Sequence, residues 1–465
     1  MNYISTRGEA PKLGFEDVLL AGLARDGGLY LPETWPTLSR EMIASFKTKP
    51  FADIAVEVIY PFTGGTIPRA ELRHMAEEAY ASFGHPSIVP LVQLKPGQYI
   101  LELFHGPTLA FKDVAMQLLA RLMDYVLAKR NQRATIVGAT SGDTGGAAIE
   151  AFRPSRRVDV VILFPDGRVS GVQRRMMTTP TEKNVHAVAI KGTFDDCQAL
   201  VKAMFNDHAF RDRVQLSGVN SINWGRIVAQ VTYYFASAAQ LGVPDTPVSF
   251  SVPTGNFGDI FAGYVARRMG LPIQQLIIAS NENDILPRTV ATGVYEMKGV
   301  VATSSPSMDI QISSNFERYL FEASGRDAGM IRGFMQALGK DKRFELGRLW
   351  PVLRSDFKAA AASEIDVADC IRRVREKHGY ILDPHTACGV VAAESIPSAG
   401  DIVILATAHP AKFPDAIETI TGQRPPLPPR LSKLMTDKER FEVLPADLKV
   451  IETYVEGAAR AVKGS

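Results

Sequence analysis

The stretch Ala134-Thr-Ile-Val-Gly-Ala-Thr-Ser-Gly-Asp-Thr-Gly-Gly146 joins a short run of β-branched residues to a glycine-rich turn. The small and apolar residues that follow predict a helix from Gly145 to Phe152. A strand that passes through glycines into a helix is the repeating unit of an α/β fold. The turn could hold an anion with its backbone N–H groups and the hydroxyls of Ser141 and Thr144, or it could be a simple tight turn. Its glycines do not have the spacing of a dinucleotide-binding fingerprint.

The same alternation continues along most of the chain. Short apolar runs of strand length alternate with amphipathic segments of helix length, once from about residue 134 and again from about residue 247. We therefore expect two α/β domains, each with a parallel sheet covered on both faces. The predicted strands are 134–138, 158–164, 185–190, one near residue 219, 247–252, 275–279 and 401–406, and the predicted helices are 145–152, 194–205, 224–240 and 260–269.

Domain boundaries are predicted from changes in composition. Residues 1–90 have helix-like apolar spacing broken by prolines, which indicates a mostly helical N-terminal region. Residues 91–240 are expected to form the first α/β domain and residues 241–465 the second, with an insertion at about 290–360 and a C-terminal tail. Within the insertion, the spacing predicts a helix from Met330 to Leu349. Arg424-Pro-Pro-Leu-Pro-Pro-Arg430 predicts an extended surface segment, either a rigid connector or a ligand for an SH3-type domain.

The composition excludes several classes of protein. The chain has 465 residues, 46% hydrophobic residues and a formal net charge of +2, so no general field attracts nucleic acid or an anionic membrane. Its three cysteines are far apart and show no metal-binding spacing, so we expect no metal site and a reducing cytoplasm. The N-terminus lacks the apolar core of a signal peptide, and no apolar run is long enough to cross a membrane.

Lys112 is the main candidate for chemistry. It lies in Leu101-Glu-Leu-Phe-His-Gly-Pro-Thr-Leu-Ala-Phe-Lys-Asp113, and apolar residues flank it on both sides. Burial lowers the pKa of a lysine, and the neutral amine is the form that attacks a carbonyl to make a Schiff base. The alternative is a lysine that begins a helix near the surface and pairs with Asp113.

Two further strand ends have the residues of a binding site. Ser251-Val-Pro-Thr-Gly-Asn-Phe-Gly-Asp259 repeats the strand, glycine turn and helix, and it is either a phosphate site or a generic turn. Asp401-Ile-Val-Ile-Leu-Ala-Thr-Ala-His-Pro-Ala-Lys412 ends its strand at Thr407, whose hydroxyl can bond to a ring nitrogen. His409 could be a catalytic base, but beside a proline it is more typical of a structural role.

Eight motifs, in order along the chain, resemble those of the threonine synthase family. The members of this family are pyridoxal-phosphate enzymes of fold type II. The resemblance covers nearly the whole chain and is to the longer, fungal-like branch. It implies the fold of the tryptophan synthase β-like enzymes, with two doubly wound sheets. The motifs are Tyr3–Gly8, Asp26–Pro32, Phe104–Asp113, Thr140–Gly145, Ser221–Arg226, Pro253–Asp259, Ser307–Arg318 and Thr407–Phe413.

The resemblance implies how the cofactor, pyridoxal 5′-phosphate, is bound. Lys112 would hold it through a Schiff base and Thr407 would bond its pyridine nitrogen. Its phosphate would lie on the turn formed by Gly255, Asn256, Phe257 and Gly258. In many fold type II relatives an asparagine contacts the cofactor 3′-oxygen where Asp143 stands here. An aspartate would repel an anionic oxygen unless one of the two held a proton.

The implied activity is conversion of O-phospho-L-homoserine and water to L-threonine and phosphate. The substrate carboxylate is assigned to Ser141, Gly142 and Thr144, and the substrate phosphate to Arg226 and Asn223, because the planar arginine side chain suits phosphate.

Arg7 is a weaker candidate for the substrate phosphate. A monomer or weak homo-oligomer is expected. The alternatives are a related lyase that gives 2-oxobutyrate and a non-catalytic protein that binds pyridoxal phosphate.

Overall fold

The computed structural model describes residues 1–462. Its N-terminal region packs helices around a small antiparallel sheet of order β2-β1-β3. The predicted helical character is present, but the sheet was not predicted, because its strands have only two to four residues. The elements are β1 (Asn2–Ser5), β2 (Leu13–Gly14), α1 (Phe15–Ala21), β3 (Tyr30–Pro32), α2 (Arg40–Ser45), α3 (Phe51–Thr63) and α4 (Arg69–Tyr80).

The rest of the chain forms two large sheets, a two-stranded ribbon and the helices that cover them. The strands are β4 (Leu91–Lys95), β5 (Gln98–Glu102), β6 (Ala134–Ala139), β7 (Val158–Pro165), β8 (Val185–Lys191), β9 (Leu216–Ser217), β10 (Val248–Pro253), β11 (Ile273–Ser280), β12 (Val294–Glu296), β13 (Arg343–Glu345), β14 (Phe357–Ala361), β15 (Ile402–Ala406) and β16 (Glu442–Pro445). The helices are α5 (Lys112–Lys129), α6 (Asp143–Phe152), α7 (Gly171–Thr178), α8 (Phe194–Asn206), α9 (His208–Arg213), α10 (Trp224–Gln240), α11 (Gly258–Arg268), α12 (Ile285–Thr292), α13 (Phe316–Ala323), α14 (Ala328–Asp341), α15 (Trp350–Asp356), α16 (Glu364–His378), α17 (Pro384–Ser395), α18 (Pro414–Thr421) and α19 (Leu448–Ala458).

The first large sheet has the order β16-β8-β7-β6-β9, and all its neighbouring strands are parallel. Strand β7 is buried along its whole length. Val160 and Ile162 pack on one side in the core that contains α5, α6 and α10, while Val161 and Leu163 pack on the other with α8 and α19. The continuous apolar run of β7 therefore reflects helices on both faces of the sheet.

The second large sheet has the order β14-β11-β10-β15-β5-β4, parallel except for the antiparallel pair of β4 and β5. Two strands of the second sheet, β4 and β5, precede every strand of the first sheet in sequence. One strand of the first sheet, β16, follows every strand of the second. The sheets therefore do not coincide with contiguous segments of the chain. Parallel neighbours are joined by long crossovers, so the order of strands in sequence does not reveal which of them pair.

The insertion differs from its sequence prediction. The helix expected from Met330 to Leu349 is wrong in its second half, because α14 ends at Asp341 and β13 follows it. Lys342 has a left-handed backbone with a φ of 57°, which stops the helix and starts the turn into the ribbon. The short strand expected near residue 219 lies slightly earlier, at β9.

The proline-rich segment 424–428 has no regular secondary structure. A short 3-10 helix, Pro429–Leu431, follows it. Beyond it the chain crosses from the second sheet to the first: Leu427, Leu431 and Leu434 pack with Leu109 and α7. Within residues 1–462, no helix is long and apolar enough to cross a membrane. The three cysteines, Cys197, Cys370 and Cys388, are buried and unpaired.

Candidate active site

Lys112 is the first residue of α5. It lies where Asp143, which follows a strand of the first large sheet, meets Ser307 and the chain after β15 of the second, a region that we call the cleft. The turn before it is tied to the second sheet, because the Phe111 N–H donates to the Thr407 carbonyl oxygen at 2.9 Å. Its Nζ is 3.4 Å from Asp143 Oδ2 and 3.4 Å from Ser307 Oγ. Burial lowers the pKa of Lys112 to about 8. A substantial fraction of neutral amine is thus present near neutral pH.

Asp113 is not the partner of Lys112. Its carboxylate accepts hydrogen bonds from the backbone N–H and the hydroxyl of Thr108, both at 2.7 Å. These bonds close the turn that precedes α5. The alternative of a surface lysine paired with Asp113 is therefore wrong, since the lysine is buried and faces the cleft.

Asp143 begins α6 and is also buried. Lys412 Nζ lies 2.6 Å from its Oδ1, and Gln173 Nε2 donates to the same oxygen at 2.8 Å. The neighbouring ammonium groups of Lys412 and Lys112 hold the pKa of Asp143 well below its usual range, despite the opposing effect of burial. The aspartate at this position is therefore compatible with a nearby anion, because Lys412 supplies the compensating charge.

The turn before α6 has the geometry of an anion site. Thr140 Oγ1 accepts the N–H groups of Gly142 and Gly145, both at 2.9 Å, and fixes the loop. Gly142 has a φ of 144°, a conformation that only glycine adopts readily. Within the described residues, the N–H groups of Ser141, Asp143 and Thr144 and the hydroxyls of Ser141 and Thr144 have no protein partner.

The turn before α11 is the second such site. Across residues 1–462, the N–H groups of Asn256, Phe257 and Gly258 donate to no protein acceptor. Phe257 has a φ of 62°, and its ring packs among aromatic side chains of α13 and β14, which holds this strained residue in place. A Cβ on Gly255 would lie 2.8 Å from the Ser307 carbonyl oxygen, so only glycine fits beneath that loop.

Thr407 follows β15, and its hydroxyl makes no protein hydrogen bond in the part of the chain described. His409 has a structural role. Its Nδ1 accepts the Ala411 N–H at 3.1 Å, and its ring packs against Phe104. Burial lowers the pKa of His409 to about 4.

The residues assigned to the substrate phosphate are placed differently from one another. Arg226 is buried. Its Nη1 donates to the Val219 carbonyl oxygen at 3.3 Å, while its Nε has no hydrogen-bond partner among residues 1–462. Asn223 caps α10: its Oδ1 accepts the Gly225 N–H at 2.9 Å, and its Nδ2 donates to two backbone carbonyl oxygens. Arg7 pairs with Glu317, at 3.1 Å.

Ser307, Lys412 and Gln173 were not predicted as site residues. Two of them stand in motifs that were quoted for the family resemblance, but their contacts depend on the tertiary fold. The Ser307 N–H donates to His385 Nε2 at 3.2 Å, and His385 Nδ1 lies 2.8 Å from Asp383 Oδ2. This buried pair fixes the loop that brings Ser307 to Lys112.

The site fits pyridoxal phosphate. A buried amine of lowered pKa suits a Schiff base, the open N–H groups at 256–258 suit a phosphate, and the unpartnered hydroxyl of Thr407 suits a ring nitrogen. The Ser307 loop approaches Gly255 closely, so little space is left between this loop and the turn at 255–258. The second open turn, at 141–144, remains for another anion.

Comparisons with known proteins agree with this interpretation. Three family models match the chain, described as threonine synthase N terminus over residues 2–80, pyridoxal-phosphate dependent enzyme over 89–408, and threonine synthase, C-terminal, over 386–455. The threonine synthase of Pseudomonas aeruginosa is 50% identical, with 98% of each chain covered.

Two solved structures are similar along the whole chain. The first is a crystal structure of threonine synthase from Brucella melitensis with bound pyridoxal phosphate, which has a TM-score of 0.96 and 60% identity and covers 99% of this chain and 100% of that one. The second is threonine synthase from yeast, with a TM-score of 0.91, 39% identity and 98% of each chain covered. The predicted fold class is confirmed, and so is the predicted cofactor.

Proposed function

The chain belongs to the threonine synthase family of pyridoxal-phosphate enzymes, and on that premise we propose that it converts O-phospho-L-homoserine and water to L-threonine and phosphate. The observation that carries the proposal is the buried Lys112, whose amine lies 3.4 Å from Asp143 at the first open turn and 3.4 Å from Ser307, whose loop covers Gly255 of the second. The substrate and the cofactor each bring a phosphate, and the substrate also brings a carboxylate. The site offers Arg226 and two helix N-termini for these anions.

We propose that the turn Gly255-Asn-Phe-Gly258 holds the cofactor phosphate, that Thr407 bonds to the pyridine nitrogen, and that Asp143 lies near the 3′-oxygen. When bound, pyridoxal phosphate supplies an electron sink for carbanion chemistry. A hydroxyl opposite the ring nitrogen leaves that nitrogen uncharged, whereas a carboxylate would favour its protonation. Lys412 offsets the charge of Asp143 at 2.6 Å.

For the substrate, we propose that Ser141, Gly142 and Thr144 bind the α-carboxylate through the open N–H groups and hydroxyls of their turn. Arg226 is proposed to bind the phosphate group, because its buried guanidinium has an Nε without a protein partner within residues 1–462. Asn223 would act indirectly: its side chain is occupied in capping the helix that carries Arg226. The pair with Glu317 makes Arg7 the weaker candidate.

Lys112 is proposed to move the protons of the reaction once the substrate amine has displaced it. A free amine with a pKa of about 8 can both accept and return a proton near neutral pH. Ser307 Oγ, 3.4 Å from the amine, can hold it in position between these steps. The burial of Lys112 and Asp143 keeps bulk water from these groups.

We further propose a cytoplasmic protein that is a monomer or weak homo-oligomer and does not bind nucleic acid, with an N-terminal region that ends near residue 90. Three unpaired, buried cysteines are typical of a reducing compartment. The net charge of +2 gives no general attraction for nucleic acid.

The test is incubation of the purified protein, loaded with pyridoxal phosphate, with O-phospho-L-homoserine. Threonine and phosphate should be produced in equal amounts. Phosphate together with 2-oxobutyrate would instead identify a lyase, and cofactor binding without phosphate release would identify a non-catalytic protein. Either result would overturn the proposal.

A further inference from the structure

Lys412 is a second buried lysine in the same cleft as Lys112. It ends the 3-10 turn Pro410–Lys412 and is only 1% exposed. Its Nζ lies 2.6 Å from Asp143 Oδ1 and donates to the Thr108 carbonyl oxygen at 2.7 Å. A buried ammonium requires such partners, since burial without them would cost several kcal/mol.

The two oxygens of Asp143 have unequal partners. Oδ1 is bound by Lys412 at 2.6 Å and by Gln173 at 2.8 Å, whereas Oδ2 has Lys112 at 3.4 Å and Ser307 at 3.5 Å. Charge-assisted hydrogen bonds from an ammonium usually have lengths of about 2.7 to 2.9 Å. Asp143 is therefore the close partner of Lys412 and only a distant partner of Lys112.

We propose that Lys412 is a positioning residue that binds the negative charge of Asp143, so that Lys112, which contacts Asp143 only at a distance, loses its proton more readily and meets the cofactor aldehyde as an uncharged amine. Without a competing cation, the Asp143 carboxylate would move onto the ammonium of Lys112. A protonated amine cannot attack a carbonyl. The inference rests on the proposed function only in taking Lys112 as the attacking amine.

The other charged groups near Lys112 support this assignment. Burial lowers the pKa of Lys112 most, Asp143 from α6 raises it, and Lys412 and Arg226 from α10 lower it, with a result of about 8. The carboxylate of Asp113 accepts two hydrogen bonds from Thr108 and makes no ion pair with Lys112. Lys412 thus opposes protonation of Lys112 in two ways, by direct repulsion and by occupying Asp143.

A purely structural role for Lys412 is the competing explanation, because it also ties two parts of the chain together through Thr108. Arg430 offers a matched control. Its guanidinium donates to the carbonyl oxygens of His105 and Gly106 in the same turn, at 2.9 and 2.5 Å, but it has no contact with Asp143. Lys412→Met and Arg430→Met each remove a cation that holds this turn.

The experiment measures the pH dependence of reductive methylation of Lys112 in the full chain freed of cofactor, in which formaldehyde forms an imine with the neutral amine and cyanoborohydride reduces it. The modified peptide is quantified by mass spectrometry. Only the neutral amine reacts. We expect Lys412→Met to move the midpoint upward by about one pH unit or more, so that below the midpoint Lys112 reacts about tenfold more slowly. Lys412→Arg should stay near the parent and Arg430→Met should have no effect.

Two further variants separate the contributions. Asp143→Asn leaves Lys412 as an unpaired cation and should lower the midpoint. In that background, Lys412→Met should produce a smaller upward shift than in the parent, because no carboxylate remains to pair with Lys112. Asp143→Asn also tests the inference if Lys412→Met fails to fold, which circular dichroism would reveal.

An unchanged midpoint in folded Lys412→Met, an equal shift in Arg430→Met, or an unchanged or raised midpoint in Asp143→Asn would overturn the inference. None of these measurements uses turnover. The inference can therefore fail while threonine is still produced, and the proposed function can fail while the midpoint shifts as expected.

Discussion

Asp143 and Asp259 occupy nearly the same place in two similar units, yet their ionisation differs. Each follows a glycine turn, lies in the first turn of a helix and is buried. The ammonium groups near Asp143 hold its pKa well below the usual range, whereas burial raises the pKa of Asp259 to about 7. The position at a helix N-terminus is common to both, so it cannot be the cause of the difference.

The difference comes from what each carboxylate faces. Asp143 faces the cleft and the ammonium groups of two lysines. Asp259 faces the core behind its turn, where the hydroxyls of Tyr233 and Tyr234 donate to its Oδ1 and its Oδ2 has no hydrogen-bond partner among the residues described. We infer that the first turn belongs to the reacting side of the site and that the second is a rigid anchor.

The largest expected effect comes from Lys112, which contacts the first turn through Asp143. Lys112→Ala should abolish threonine formation and leave the fold intact, because the other buried amine beside Asp143, that of Lys412, is held by close contacts with Asp143 and the Thr108 carbonyl oxygen. Phosphate release and circular dichroism measure the two outcomes. A visible absorbance band of covalently bound cofactor that persists in the variant would contradict the assignment.

The anchor can be tested at Gly255. In Gly255→Ala the new Cβ would lie 2.8 Å from the Ser307 carbonyl oxygen, so the loop above the phosphate turn must shift. Overpacking of this kind typically costs about 1 to 3 kcal/mol, and we expect a cofactor Kd raised about 5- to 150-fold. Gly333→Ala is the control, since a Cβ there meets nothing within 4 Å. Equal cofactor affinity in both variants would show that the turn at 255–258 is not the anchor.

The reacting side can be tested at Ser141 and Thr144. Replacing either hydroxyl, as in Ser141→Ala or Thr144→Val, removes one hydrogen bond to a charged carboxylate, worth about 1.5 to 3 kcal/mol. We expect the KM for O-phospho-L-homoserine to rise by roughly one to two decades while the cofactor Kd is unchanged. The opposite pattern, with a weakened cofactor and an unchanged KM, would exchange the roles of the two turns.

Much of the fold and of the site could be predicted from the sequence. The apolar run that became β7 is nearly continuous because both faces of its sheet are covered. The two glycine turns of the site lie directly after β6 and β10 in sequence. The apolar neighbours of Lys112 made it a candidate, and its burial was confirmed only by the fold. The placement of β16 in the first sheet was not, because strand pairing between distant segments leaves no local signal.

The charge pattern of the site was equally hidden. The sequence suggested a conflict between Asp143 and an anionic cofactor oxygen. The charge that offsets Asp143 comes from Lys412, which is 269 residues away by numbering and meets Asp143 only in the fold. Asn223 looked like a phosphate ligand beside Arg226, but its amide is occupied in capping α10. Local sequence identifies which groups are polar, while the fold decides which of them remain open.

The last expected effect is on stability and leaves catalysis untouched. Because the folded-state pKa of Asp259, about 7, lies above the unfolded value of about 3.9, the neutral form favours folding. This contribution is fully present below about pH 4 and is lost as the pH rises through about 7. The free energy of unfolding falls by at most about 4 kcal/mol over this range. Asp259→Asn keeps an oxygen acceptor for the tyrosines and cannot ionise. The fall in Tm between pH 5 and pH 8 should therefore be smaller in this variant than in the parent.

Asp143→Asn is the matched control for this measurement. In the parent, the pKa of Asp143 is lower in the folded state than in the unfolded state. The stability that its charge contributes is therefore present above the unfolded pKa and is lost only in acid. Asp143 is thus ionised in both states from about pH 5 to about pH 8. The variant should change the Tm without changing its dependence on pH between about pH 5 and pH 6, a range below the titration of Lys112, whose pKa of about 8 Asp143→Asn shifts downward. If the Tm of the parent and the Tm of Asp259→Asn fall by the same amount between pH 5 and pH 8, Asp259 is ionised in the folded protein. The contrast between a charged reacting side and an uncharged anchor would then be wrong.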